Sequence, residues 1–208
     1  MRVLIFGASG RTGQLLVKRA LRRAHVVTAF MRSPADFGIA AANLAVFTGN
    51  VSDRAAIGRA MKGQEAVISV LGASRPGQRN PALVAGVGDI LDLMRQGGVR
   101  RLIYQSCFGV GDSGARAGAV TRLVVGRGRA GELADHAEAE ALIRASGLHW
   151  TILRPPTLTN GAATGRCQAG EAVVPRGLRP TVSRADVASF LAGQLEDAGF
   201  VGKVVGLA

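Results

Sequence analysis

Gly7, Gly10 and Gly13 stand three residues apart in the stretch GASGRTG, between an apolar run, Val3–Phe6, and a helix-forming segment that begins at Arg11. Glycines in this setting leave main-chain N–H groups bare at a helix start, where the positive end of the dipole favours phosphate. Gly7 permits the tight turn, Gly10 lets main chain approach a pyrophosphate, and Gly13 lets the helix pack close to the sheet. Ser9, Arg11 and Thr12 complete the expected cradle. The spacing is G-x-x-G-x-x-G and no Lys follows the last glycine, so a Walker-type phosphate loop is excluded. A glycine turn without a ligand is the plain alternative.

A dinucleotide site makes its next demand at the end of the second strand, about twenty residues on. An NAD site carries Asp or Glu there for the ribose hydroxyls. This chain reads TAFMRSP, with Arg32 and Ser33 at that place and no carboxylate before Asp36. A guanidinium pairs bidentately with a 2′-phosphate, so NADP(H) is the expected cofactor. Arg11 reaches toward the same phosphate. Asn50, followed by Val51 in GNVSD, offers donor and acceptor to an adenine edge. Leu71, Gly72 and Ala73, in LGASRPG, are expected beneath the pyrophosphate and the nicotinamide ribose. A surface arginine and two ordinary strand-to-helix turns are the alternatives.

The elements that position these residues alternate. Apolar runs at Val3–Phe6, Val26–Phe30, Leu44–Phe47, Ala66–Leu71, Leu102–Tyr104 and Trp150–Leu153 predict strands. Helices are predicted over Arg11–Arg23, Asp53–Met61, Pro81–Gln96 and Leu133–Ala145. Near-continuous apolar strands separated by helices indicate a parallel sheet covered on both faces. Ser52-Asp53 supplies an N-cap, and Gly97-Gly98 and Ser146-Gly147 close two helices. After Pro155-Pro156 a loop runs to Gly170, then a strand at Ala172–Val174, a helix near Ser183–Glu196 and a strand at Lys203–Val205. In PTVSRADVA, Ser183 and Asp186 read as helix caps, with Asp186 pairing Arg184 or Arg179. With no linker or repeat, residues 1–208 are expected to form one α/β domain, a doubly wound parallel sheet in which about 155–208 make a small C-terminal, substrate-side cap.

The chain has 208 residues, 48% hydrophobic and 19% charged, enough for a sizeable core. Its net charge is +12, yet only three of its 26 basic residues are lysine. That imbalance, with abundant Ala and Gly, points to genome composition before binding. Nine aromatic residues offer no stacking platform, so nucleic acid is not an expected partner. Cys107 and Cys167 are too few for a disulfide scaffold and fit a reducing compartment. His25, His136 and His149 are scattered, and no metal site is expected. No apolar run is long enough to span a bilayer and no secretory signal is read, so the expected compartment is the cytoplasm. A monomer or homodimer is expected.

Together LIFGASGRTGQLL, FMRSP, GNVSD, SVLGASRPG, LIYQSCFGVG, LIRASGLHWTILRPPTL and SRADVASFL resemble the atypical short-chain dehydrogenases, NAD(P)H-binding proteins of NmrA-like type and the flavin reductase/biliverdin-IXβ reductase branch. The resemblance spans nearly the whole chain. It implies a Rossmann-like domain with NADP(H) across the strand ends. The larger branch uses Tyr-x-x-x-Lys as its proton donor, and here the one tyrosine, Tyr104, lies in a predicted strand far from any lysine. What remains for chemistry is Ser106, placed to bond a substrate carbonyl, and His136, as acid or substrate contact or as a surface histidine. Cys107 and Thr157 are expected to line the substrate pocket, and Pro155 to set main chain against the carboxamide. The resulting expectation is an NADPH-dependent oxidoreductase that reduces a planar small-molecule electron acceptor (flavin, quinone or tetrapyrrole-like) by direct hydride transfer. The alternative is a non-catalytic NADP(H) sensor of NmrA type.

Overall fold

Hydrophobic residues in the strands of this protein alternate between two cores. In the computed structural model, β1 (Arg2–Phe6) sends Val3 and Ile5 to one face of the sheet and Leu4 and Phe6 to the other. Successive side chains on a strand point to opposite faces, so a strand covered on both sides must be apolar throughout. The structure describes residues 1–35, 37–72, 77–113, 128–175, 177 and 179–208.

After β1 come α1 (Arg11–Arg22), β2 (Val26–Met31), β3 (Leu44–Thr48), α2 (Arg54–Met61), β4 (Ala66–Ser69) and α3 (Pro81–Gln96). The second half contains β5 (Arg101–Gln105), α4 (Ala130–Ala145), β6 (His149–Arg154), β7 (Thr157–Thr159), β8 (Ala169–Gly170), β9 (Thr181–Ser183), α5 (Arg184–Gly193) and β10 (Lys203–Leu207). The main sheet has the order β3-β2-β1-β4-β5-β6-β10-β8. Every pairing in it is parallel except that of β10 with β8. This is the expected Rossmann-like, doubly wound α/β fold.

One face is covered by α1 and α5, where Leu16, Val17 and Ala20 meet Val187, Ala188 and Leu191. The other is covered by α2, α3 and α4, where Ile57, Ile90, Met94 and Ile143 pack over Phe6, Val67, Leu102 and Tyr104. Asp53 caps α2 by accepting from Ala56 N at 3.0 Å. No helix among the described residues is long and apolar enough to cross a membrane.

The last quarter departs from the sequence expectation in detail. No strand forms at Ala172–Val174. Val173 N donates to the Gly170 carbonyl and closes a turn, so the pairing edge begins three residues earlier, at β8, just after Gln168, which exchanges main-chain hydrogen bonds with Ala208. Within the stretch read as loop, β7 pairs in parallel with β9 to make a separate two-stranded sheet. The helix α5 and strand β10 belong to the main layers.

Asp186 is tied differently from the arginine pairing expected of it. Ser183 caps α5 by accepting from Asp186 N, and its hydroxyl donates to Asp186 Oδ2 at 2.7 Å. The Asp186 carboxylate also accepts from Thr164 N at 3.0 Å and Gly165 N at 3.1 Å. Arg184 turns away and donates to the Leu158 carbonyl and to Asn160 Oδ1. Asp186 thus fastens the 160–168 segment to the start of α5. Burial alone would raise its carboxyl, and the donors from Thr164, Ser183 and Gly165 outweigh burial and hold it below the ordinary 3.8. A carboxyl with a lowered folded-state pKa stabilises above its unfolded value, and that contribution is lost as pH falls below about 4. Asp186→Ala is expected to cost about 2 kcal/mol at pH 7 and to flatten the acid limb of stability, measured by urea unfolding across pH.

Candidate functional site

The strand order reverses between β1 and β4, and the loops that follow these two strands diverge to leave a crevice. A cleft of about 380 Å³ opens there. Eight of the residues expected to hold a cofactor line it: Gly7, Ser9, Gly10, Arg32, Asn50, Val51, Leu71 and Gly72. Gly7 has φ +79°, and a Cβ on it would sit 2.9 Å from the Val70 carbonyl oxygen. A Cβ on Gly13 would meet the Gly7 carbonyl oxygen at 2.1 Å. The turn is therefore pressed between β4 and α1, and its main chain is the surface that faces the cleft.

The wall on the β2 side is aromatic. Phe30 lines the cleft, 4.9 Å from the Phe6 ring and stacked at 5.6 Å on Phe47. Beyond it, Arg32 is exposed at the lip, and no described residue pairs with its guanidinium. Among the described residues no carboxylate lines the cleft. Asn50 Oδ1 accepts from Ser52 N at 3.2 Å, which fixes the turn into α2.

Other expected residues lie outside this lining. Arg11 is exposed on the first turn of α1, and Thr12 is buried beside Gly13. Ser33 Oγ accepts from Ala35 N. Pro155 is buried with its carbonyl accepting from Phe108 N, and Thr157 opens β7 with its N–H donated to Pro180. Ala73 falls outside the described residues.

A second constellation stands where β5 and β6 meet α4. His136, Ala139, Glu140 and Ile143 recur at helical spacing and form the buried stripe of α4. Tyr104 hydroxyl lies 2.9 Å from His136 Nδ1. Two residues along the chain, Ser106 Oγ donates to Glu140 Oε1 at 2.7 Å. Arg154, at the end of β6, grips both oxygens of Glu140 at 2.9 and 2.7 Å and also donates to Asp112. Tyr104, Ser106, His136, Glu140 and Arg154 are each no more than 4% exposed. Strand period two and helix period four bring Tyr104 and Ser106 onto His136 and Glu140 as two parallel pairs.

The surface alternative for His136 is thereby overturned. Burial, partly offset by Glu132 and Glu140, holds its imidazole below the ordinary 6.5. Burial also pushes the Cys107 thiol up to about 12. Cys107, Glu132 and His136 each bring a metal-capable atom within 4.8 Å of the others. Both oxygens of Glu132 are already taken by Arg129, at 2.9 and 3.0 Å.

The two constellations are joined. Asp135, on α4 beside His136, accepts from Asn80 N at 2.6 Å and faces Arg79 Nε at 2.7 Å. Asn80 lines the cleft. A Cβ on Gly131 would lie 2.4 Å from the Gln78 carbonyl carbon, so α4 and the segment before α3 touch main chain to main chain.

Glu140, Arg154, Asp135 and the Tyr104 contact are absent from the sequence reading, because they pair residues 14 to 55 positions apart. The available signal was the spacing of His136 and Glu140, polar residues four apart on a helix that must cover a sheet. Glu140→Gln removes the buried carboxylate held by Arg154 and Ser106 and leaves the buried Arg154 only the exposed Asp112 as a charge partner, which is costly. The variant is expected to lose about 3–5 kcal/mol in urea unfolding at pH 7.

The model of the NAD(P)H-binding family matches residues 7–198. Quinone oxidoreductase 2 of Escherichia coli is 25% identical over 221 residues, covering 99% of this chain and 68% of that protein. Among solved structures, ChuY, an anaerobillin reductase from Escherichia coli, superposes with a TM-score of 0.79 at 26% identity, covering 100% of this chain and 96% of the other. A short-chain dehydrogenase/reductase from Veillonella parvula in complex with NADP has a TM-score of 0.81 at 20% identity, covering 100% and 94%. At that identity the likeness concerns the fold alone.

Proposed function

The chain belongs to the NAD(P)H-binding family, and from that premise we propose that it is an NADPH-dependent reductase of a planar electron acceptor of flavin, quinone or tetrapyrrole type. The observation that carries the cofactor choice is Arg32, unpaired among the described residues on the lip of a cleft whose described lining holds no carboxylate. A ribose with free hydroxyls finds no acidic acceptor there, whereas a 2′-phosphate finds a fork of donors. The cleft fits a dinucleotide: its phosphate side is bare main chain at Gly7 and Gly10, with no room for side chains behind it at Gly13. Arg11 and Thr12 sit in the first turn of α1, whose N-terminus carries no acidic residue against the phosphates.

Bound NADPH supplies a hydride, and the protein's task is to bind, orient and balance charge. Ser106 and His136 are assigned to the reacting end, with Cys107 and Thr157 toward the acceptor and Pro155 offering main chain to the carboxamide. Relatives named for a quinone and for anaerobillin support a conjugated acceptor. Such an acceptor takes hydride without a Tyr-x-x-x-Lys pair, and the buried Tyr104 is held well above its ordinary pKa by burial, with Cys107, Glu140 and Asp135 adding to the effect. A sensor that binds NADP(H) without turnover is the second reading, favoured by Ser106, whose hydroxyl proton is given inward to Glu140.

Purified protein mixed with NADPH and FMN, a quinone or biliverdin is expected to consume the cofactor with at least one of them. Tight NADPH binding with no turnover in the whole panel would select the sensor. Arg32→Ala is expected to weaken NADPH by about 10- to 100-fold and to change NADH affinity by less than about twofold, measured by calorimetric titration. An equal loss for both would refute the 2′-phosphate contact.

A further inference from the structure

His136 is surrounded by three carboxylates on its own helix, and each is neutralised by an arginine that comes from elsewhere. Arg129, just ahead of α4, holds both oxygens of Glu132. Arg79, ahead of α3, faces Asp135. Arg154, from β6, holds both oxygens of Glu140, which Arg144 also approaches at 3.3 Å. From β5, Tyr104 faces Nδ1, and the loop beyond it brings Cys107. With the carboxylates so engaged, no unpaired anion among the described residues faces the ring to stabilise an imidazolium in this buried place.

The Tyr104 contact then fixes where the remaining proton lies. The phenol is fully buried, and among the described residues its partner is His136 Nδ1. Were Nδ1 protonated, the phenol proton would be left without an acceptor in the core, which is the costlier arrangement. Tyr104 therefore donates, Nδ1 accepts, and the one proton of a neutral imidazole sits on Nε2.

We propose that His136 works as a neutral hydrogen-bond donor through Nε2, and that Tyr104 is the positioning residue that holds it in that tautomer. The proposal rests on the reductase reading for its use and deepens it. Hydride transfer breaks the nicotinamide C–H bond, forms a bond to hydrogen on the acceptor and leaves negative charge on an acceptor oxygen or nitrogen. Nε2–H bonds to that atom as the charge develops, a role in which a fixed donor stabilises the transition state. The proton that completes the reduced acceptor comes from water, and His136 ends the turnover with the proton it had at the start. Burial, which holds the imidazole below 6.5, supports this assignment.

The test is proton–nitrogen correlation NMR of the imidazole rings at pH 7. The chain has three histidines, so the His136 signals are assigned by their loss in His136→Gln. One bare nitrogen, Nδ1, and one protonated nitrogen, Nε2, are expected in the unsubstituted protein. Tyr104→Phe, which removes only the hydroxyl, is expected to give mixed tautomers. With NADPH and a quinone, kcat is expected to stay level between about pH 7 and pH 9. Tyr104→Phe is expected to lower kcat by about five- to tenfold, with KM within about twofold. Two protonated nitrogens at pH 7, a bare Nε2, or an unchanged pattern in Tyr104→Phe overturns the proposal. So does a kcat that falls about tenfold per pH unit above neutrality, the signature of an imidazolium acid. The NMR result stands whether or not an acceptor is turned over, so failure of the tautomer and failure of the reductase reading are told apart.

Discussion

Gly13 lies so near the β1–α1 turn that a single methyl group on it would collide with the Gly7 carbonyl oxygen, and Gly7 in turn lies against the main chain at Val70. This contact of turn, helix and neighbouring loop sets where α1 begins and where its free N–H groups point. It also fixes the distance between the loops after β1 and β4, and hence the width of the cleft. Close packing of this kind is unforgiving, because interiors have no spare volume to relax into.

From that seat the geometry propagates through strand parity. Leu102 and Tyr104 face the α2–α4 side while Ile103 faces α1 and α5. Continuing the alternation brings Ser106 to α4, and the same rule on β6 puts Arg154 with Ile152. The polar network is thus a continuation of the hydrophobic core at the strand ends, where the sheet's period has to be met by polar side chains that satisfy one another. A slip of one residue in the register of β5 would carry Tyr104 and Ser106 to the opposite face.

Much of the frame was legible in the sequence because its signals are local. The strands, the helix ends and the glycine turn depend on neighbours within a few residues, and spacing alone singles out Gly7, Arg32, Asn50 and Leu71, which line the cleft. The short strands β7, β8 and β9 were not, since two- and three-residue pairings exist only through a distant partner. Ala172–Val174 carried the apolar pattern of a strand, and a turn hydrogen bond decided otherwise. The stripe of α4 was obscured because His136 and Glu140 stand where apolar residues usually would. Their burial depends on Tyr104 and Arg154, which no periodicity connects to them.

The joint between α4 and the segment before α3 works as a spacer between the cleft and the buried polar network. It is made largely of main chain at Gly131 and Gln78, reinforced by Asp135 on the N–H of Asn80. Side chains around the pocket can be replaced without lengthening or shortening that joint. A substitution among the pocket side chains therefore reshapes the lining, while the span from the glycine turn to the imidazole is set by main chain.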